Sequence, residues 1–182
     1  MRKLTILLLA AVSITACQFP LQQIDFDTDT FNRERAAWLE EDIAAYSYEF
    51  KYGSLAVGPG YIHARVTVED NAITGIENLK PEKEWKVDTP PGFTDFQLSI
   101  IHSYGSVTGI YEHISNWYAA ERKKLGDKQQ LRCEMKYNAQ YRYPEYVSYG
   151  VSTYQYAGNN TWVALIGQGR TTLELSDFQV VE

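Results

Sequence analysis

The residues able to do chemistry in this chain are few and scattered. They are His63, His102 and His113, two runs of carboxylates at Glu40-Glu41-Asp42 and Glu69-Asp70, and two cysteines, Cys17 and Cys133. A histidine beside carboxylates could supply the general acid and base of a hydrolase, or ligands for a metal ion. The spacing does not favour either. His102 and His113 are eleven residues apart. On one helix they would share a face, but a rise of ~1.5 Å per residue would set them ~16 Å apart, whereas a metal's ligand bonds are ~2 Å long. His63 falls on the polar side of an alternating segment. The first carboxylate run reads as the wet side of a helix and the second as turn chemistry. The chain contains no G-x-S-x-G, H-E-x-x-H or C-x-x-C motif and no glycine-rich phosphate loop. The histidines therefore read as solvated or satisfied side chains, and no metal or other cofactor is expected. A hydrolase or metal-dependent enzyme using His63 or His102 with nearby carboxylates is the alternative reading.

The two cysteines have different surroundings. Arg2 and Lys3 precede an apolar run, Leu4 to Ile14, of eleven positions. That is too short for a spanning helix, which needs ~20 residues, and right for the core of a signal peptide. Ile14-Thr15-Ala16-Cys17 follows, a branched apolar residue, two small ones and a cysteine. This resembles the bacterial lipobox, in which the thiol receives a diacylglycerol before cleavage in front of it. The expectation is a signal peptide over 1–16, lipid attachment at Cys17, a linker over 17–28 and a single domain over 29–182. The membrane partner is reached through N-terminal acyl chains, since stable anchoring takes two or more. Gln18, not aspartate, follows the cysteine, which favours the periplasmic side of an outer membrane.

Residues 1–16 carry two cations and no acid, so their removal takes the net charge from −6 to −8. Such acidity argues against a nucleic-acid partner and against a basic membrane-surface contact. Cys133 sits in a period of two. Leu131, Cys133, Met135 and Tyr137 alternate with Arg132, Glu134, Lys136 and Asn138, which puts the thiol on the apolar face of a strand. It reads as a small core residue in preference to a nucleophile.

The elements that position these residues follow from periodicity. A helix is expected over about Phe31 to Ala44, capped by Thr30 or Asp29, with Phe31, Trp38 and Leu39 inward and Arg33, Glu34, Glu40 and Glu41 in water. Tyr46, Tyr48, Phe50 and Tyr52 then alternate with polar residues. So do Ile62, Ala64, Val66 and Val68, and a turn at Asp70-Asn71 leads to a third strand, Ala72 to Leu79. Lys80 to Gly92 is a loop. Phe93 to Tyr104 reads either as a strand or, from Thr94-x-x-Gln97, as a capped helix. Val107 to Leu125 is a helix, and the rest is β. The order predicts an α+β fold, an antiparallel sheet of about six or seven strands with two helices packed on one face.

Trp38 with Tyr46-Ser-Tyr48, the hairpin Val66-Thr-Val-Glu-Asp-Asn-Ala-Ile73, and Tyr137-Asn138…Tyr141-Arg-Tyr-Pro144 carry a resemblance. They are similar to bacterial envelope lipoproteins that share a small uncharacterised domain of unknown function. That family's last motif is Tyr-Asp-Pro-x-x-Gly-Tyr-Pro. Here Asn138 stands for the aspartate and Arg142 for the glycine. The resemblance spans about Phe31 to Gly150 and implies no activity.

Parity then defines a candidate binding face. Glu49 and Lys51, then His63, Arg65, Thr67 and Glu69, then Arg132, Glu134 and Lys136 each point away from their own strand's apolar row. If the strands share a sheet, these side chains form one polar face, suited to an envelope protein partner. The late tyrosines, Tyr137, Tyr141, Tyr143, Tyr146, Tyr149, Tyr154 and Tyr156, suit a sheet, a protein interface or a glycan platform.

Overall fold

A computed structural model describes residues 23–54, 61–79, 92–159, 161–165 and 169–181. Cys17, the apolar run before it and the Pro90-Pro91 loop lie outside the described residues. In chain order the elements are β1 (Ile24–Asp25), α1 (Thr28–Glu40), β2 (Ala45–Ser54), β3 (Ile62–Glu69), β4 (Ala72–Asn78), α2 (Asp95–Tyr104), α3 (Val107–Arg122), β5 (Gln129–Tyr137), β6 (Pro144–Gly158), β7 (Thr161–Ala164) and β8 (Arg170–Val180). The strands lie in the order β1-β5-β6-β8-β2-β3-β4, with β7 paired to the far end of β6. All pairs are antiparallel except β1 with β5. The fold is α+β, as the periodicity predicts.

The differences from expectation have local causes. Phe93 to Tyr104 resolves to a helix because both halves of the capping box form. Thr94 Oγ1 accepts from Gln97 N at 3.2 Å, and Gln97 Oε1 accepts from Thr94 N at 3.0 Å. This satisfies helix-end donors that a strand would leave to its neighbours. Three helices, not two, therefore cover the sheet among the described residues. The first begins earlier than expected, with Asp27 as its cap, accepting from Thr30 N at 2.9 Å. Ile24–Asp25, inside the expected linker, adds β1 to the sheet edge, and Leu131 N donates to Gln23 O at 2.7 Å.

All three helices pack on one face of the sheet. The core joins Phe31 and Trp38 of α1, Ile100 and Ile101 of α2, and Val107, Ile110, Tyr111 and Ile114 of α3. These meet the inward rows Tyr46, Tyr48, Phe50, Tyr52 and Ile62, Ala64, Val66, Val68. Phenol groups bolt the layers together. Tyr48 Oη donates to Gly105 O at 2.6 Å, Tyr46 Oη accepts from Val107 N at 3.1 Å, and Tyr111 Oη donates to Arg142 O at 2.6 Å. Each of these large rings is buried, and its one polar atom is satisfied, as burial demands.

Glu34 does not face water. The stripe of α1 runs Phe31, Glu34, Trp38, the three-and-four spacing of one helix face, and the carboxylate is drawn beneath with it. Arg33 holds it at 2.9 Å and Arg142 at 3.6 Å. Leu39 falls off that stripe and is 53% exposed.

Candidate functional site

Among the described residues the opposite face of the sheet carries no helix, and its side chains form two lattices of paired charge. On one side, Glu49 accepts from His63 Nε2 and from Arg65, each at 3.2 Å, and Arg65 also donates to Asp177 at 2.7 Å. The register explains the contact, since Glu49 lies directly opposite Arg65, and Lys51 opposite His63. Asp177 reaches Arg65 through a bulge. Between the pairs Ser47–Gln179 and Glu49–Ser176, two residues of β8 oppose one of β2. Asp177 takes φ 50 there, which turns its carboxylate outward and Phe178 inward against Tyr46 and Tyr143. The bond to Asp177 holds Arg65 above the usual guanidinium range, and the same bond holds Asp177 below the usual carboxylate range.

On the other side, Arg132 pairs with Asp25 at 3.3 Å and Glu134 at 3.7 Å, and Arg170 reaches Glu134 at 3.4 Å while donating to Ser148 Oγ. A continuous row of register partners, Lys136–Tyr146–Glu174–Lys51–His63, crosses the strands between the two lattices. The Lys136 ammonium sits 5.5 Å from the Tyr146 ring centroid, within cation–π range. Glu49, Lys51, His63, Arg65, Thr67, Glu69, Arg132, Glu134 and Lys136 thus share one sheet face. Thr67 is half-buried against Gly75, and Glu69 is exposed at the strand end. Sequence parity missed Asp25, Asp177 and Arg170. The first lies in the expected linker, the second is placed by the bulge, and the third begins its strand.

The histidines stand on separate elements. His102 is exposed in the last turn of α2, and His113 lies half-buried on α3, so the two share no helix. His113 Nε2 is 3.1 Å from both Tyr104 Oη and Tyr149 Oη, which are 2.9 Å from each other. Burial lowers the imidazole below its ordinary value and raises both phenols. All three groups are therefore neutral at neutral pH, and the triangle is a satisfied core network. Because folded His113 titrates below 6.5, the unfolded chain takes up the proton first. Its contribution to stability is full above about pH 6.5 and is lost as pH falls. The melting temperature is expected to decline from pH 6.5 towards 5, and His113→Gln to flatten that decline.

Among the described residues, no three histidine, cysteine or acidic side chains converge to hold a metal ion. A cleft of about 440 Å³ is lined by Glu121, Lys124, Gln129, Val151, Thr153 and Gly169, with no histidine among them. Cys133 lies in the core opposite Tyr149, and burial pushes its thiol up to about 12. A protonated, enclosed thiol is a poor nucleophile. Labelling of the folded protein by a thiol reagent should be slow, and Cys133→Ala should cost about 1 kcal/mol by lost apolar area. Fast labelling without denaturant would contradict this placement.

No protein-family model matches the chain, no curated protein is detectably similar to it, and no solved structure matches its fold.

Proposed function

We propose that the chain is a lipid-anchored protein of a bacterial envelope, held at Cys17, that works as a non-enzymatic binding or scaffold module, and that its open sheet face receives an envelope protein. The observation that supports this is the segregation of layers. Every helix among the described residues packs on the tyrosine-rich face, so no described helix covers the mixed-charge face from Asp25 to Arg65. Alternating cations and carboxylates at fixed register favour a partner of complementary pattern and penalise others by like-charge contact. An acid–base enzyme would gather its titratable groups in a concave site. Here His63 and its carboxylate partner lie on a sheet face beside Arg65.

A photo-crosslinker at Lys51, in the middle of the face, should give a discrete protein adduct in intact membranes. The same probe at Glu112, exposed on α3, should not. Arg65→Glu with Arg132→Glu should abolish the Lys51 adduct in protein that circular dichroism shows to be folded, the reversal setting new carboxylates against Glu49, Asp177, Asp25 and Glu134 at a cost of ~0.2–1 kcal/mol per contact. An adduct indifferent to that double reversal would sink the docking face. For the anchor, Cys17→Ser should leave an uncleaved, unacylated precursor. A membrane-bound, mature-length Cys17→Ser protein would refute it.

A further inference from the structure

β6 outruns the sheet. Its residues up to Thr153 pair with β5, and among the described strands Tyr154 to Gly158 then pair with β7. A two-stranded ribbon of this kind has marginal stability in water by itself. This one nevertheless presents Tyr156, Val163 and Leu165, each at least 40% exposed. Tyr154, Tyr156 and Trp162 share one side of the ribbon by register, with Trp162 edge-on to Tyr156 at 5.4 Å, while Val163 and Leu165 take the other.

The same end gathers basic side chains. Helix α3 closes on Arg122, followed by Lys123 and Lys124, and Lys128 precedes β5. Glu121, which pairs with Lys124 at 3.0 Å, and Asp127 are the acids among them. Cations outnumber acids four to two over 121–128. Tyr154 N donates to Lys128 O at 2.8 Å, which places the root of the ribbon against this segment, and the cleft at Glu121, Lys124, Val151 and Thr153 lies between helix end and ribbon.

The chain also enters here. β1 runs parallel to β5, so Gln23 lies beside the start of β5, and its side chain donates to Gly126 O at 3.3 Å. From Cys17 to Gln23 is six residue steps, a reach of at most ~20 Å. An acyl anchor at Cys17 would therefore hold the ribbon and the basic segment, not the opposite end, near the bilayer.

We infer that the β6–β7 ribbon and the basic segment 122–128 lie against the anionic lipid surface to which Cys17 is attached, with Tyr156 and Trp162 at headgroup depth. The occupant follows from three observations that coincide at one end: amphipathic aromatics of the kind that settle at membrane interfaces, cations that anionic headgroups attract, and the shortest path to the anchor. The inference rests on the acylation of Cys17.

The test uses the full chain, extracted from membranes and returned to vesicles of phosphatidylethanolamine and phosphatidylglycerol carrying brominated acyl chains. Intact mass reads acylation, and tryptophan quenching reads apposition. Trp162→Phe should remove most of the quenching by shallow bromines while leaving the melting temperature unchanged. Lys123→Glu with Lys128→Glu should weaken the quenching and remove its dependence on phosphatidylglycerol content. An acylated protein whose quenching is the same with and without Trp162 overturns the apposition and leaves the anchor standing, as would ribbon-to-ribbon crosslinks between two copies that shield Trp162 from lipid. A chain with no lipid adduct overturns the anchor, and with it the apposition.

Discussion

Titrated upward from neutral pH, the protein is expected to keep its fold to about pH 10 and then to unfold cooperatively within about one to three further pH units. Buried phenols carry the effect, and four of them suffice to set its scale. Burial pushes Tyr46 up to about 12 and holds Tyr48, Tyr111 and Tyr149 well above the ordinary value of 10.0. The folded pKa of each lies above the unfolded one, so the unfolded chain loses its proton first. Stability is full below about pH 10 and is lost as pH rises towards the folded values. Each group withdraws ~1.4 kcal/mol per pH unit inside that window. Four together withdraw ~5 kcal/mol per unit, against a total stability of ~5–15 kcal/mol for a domain. The buried Cys133 thiol, also raised to about 12, acts in the same direction from a lower starting point. Ionisation also breaks the bolts between the layers, because Tyr48 and Tyr111 donate their protons to backbone carbonyls. Phenolate absorbance and far-ultraviolet circular dichroism should change together in one steep transition. Gradual phenolate formation over a preserved fold would show that these hydroxyls are open to solvent.

The rows that place those phenols were legible in the sequence, because a strand buried on one face writes its parity into residue type. Tyr46, Tyr48 and Phe50 against Ser47, Glu49 and Lys51 could be read without coordinates, and so could Cys133. The proposed docking face was legible to the same extent. The gaps occur where parity is broken or where two periods compete. Strict alternation from Leu173 and Leu175 would bury Asp177 and expose Phe178, and the bulge opposite Tyr48 reverses both. In β4 a second bulge lets Ile73 and Ile76, three apart, pack against the same core. Glu34 was misplaced because a charged residue type outweighed its position on the stripe between Phe31 and Trp38. The Tyr104–His113–Tyr149 triangle joins two helices and a strand, and no local spacing announces such a meeting. The pairing of β1 to β5 was illegible because two residues show no period.

Gly105→Ala is expected to destabilise the protein by about 3 kcal/mol, the upper part of the range for overpacking a close-packed site. Its backbone, at φ −82, suits any residue, so the obstacle is space and not conformation. An added Cβ would run into the Ile101 carbonyl oxygen of α2 and would stand 2.5 Å from Ile73 Cδ1 of β4. The first cannot be relieved cheaply, because it is helix backbone; the second is the tip of a half-buried isoleucine, which can swing aside. Any shift that makes room also pulls the Gly105 carbonyl from the Tyr48 hydroxyl, leaving two buried polar atoms short of a partner, each worth ~1–3 kcal/mol when orphaned. The melting temperature should fall by roughly 10 °C, given ~2–4 °C per kcal/mol for a domain of this size. Gly92→Ala is the control, since a Cβ there meets nothing within 4 Å, and it should melt with the parent protein. If Gly105→Ala melts with Gly92→Ala, then α2 is not pinned to the sheet at this glycine, and the Tyr48–Gly105 bond is not one of the bolts that hold the helical layer in place.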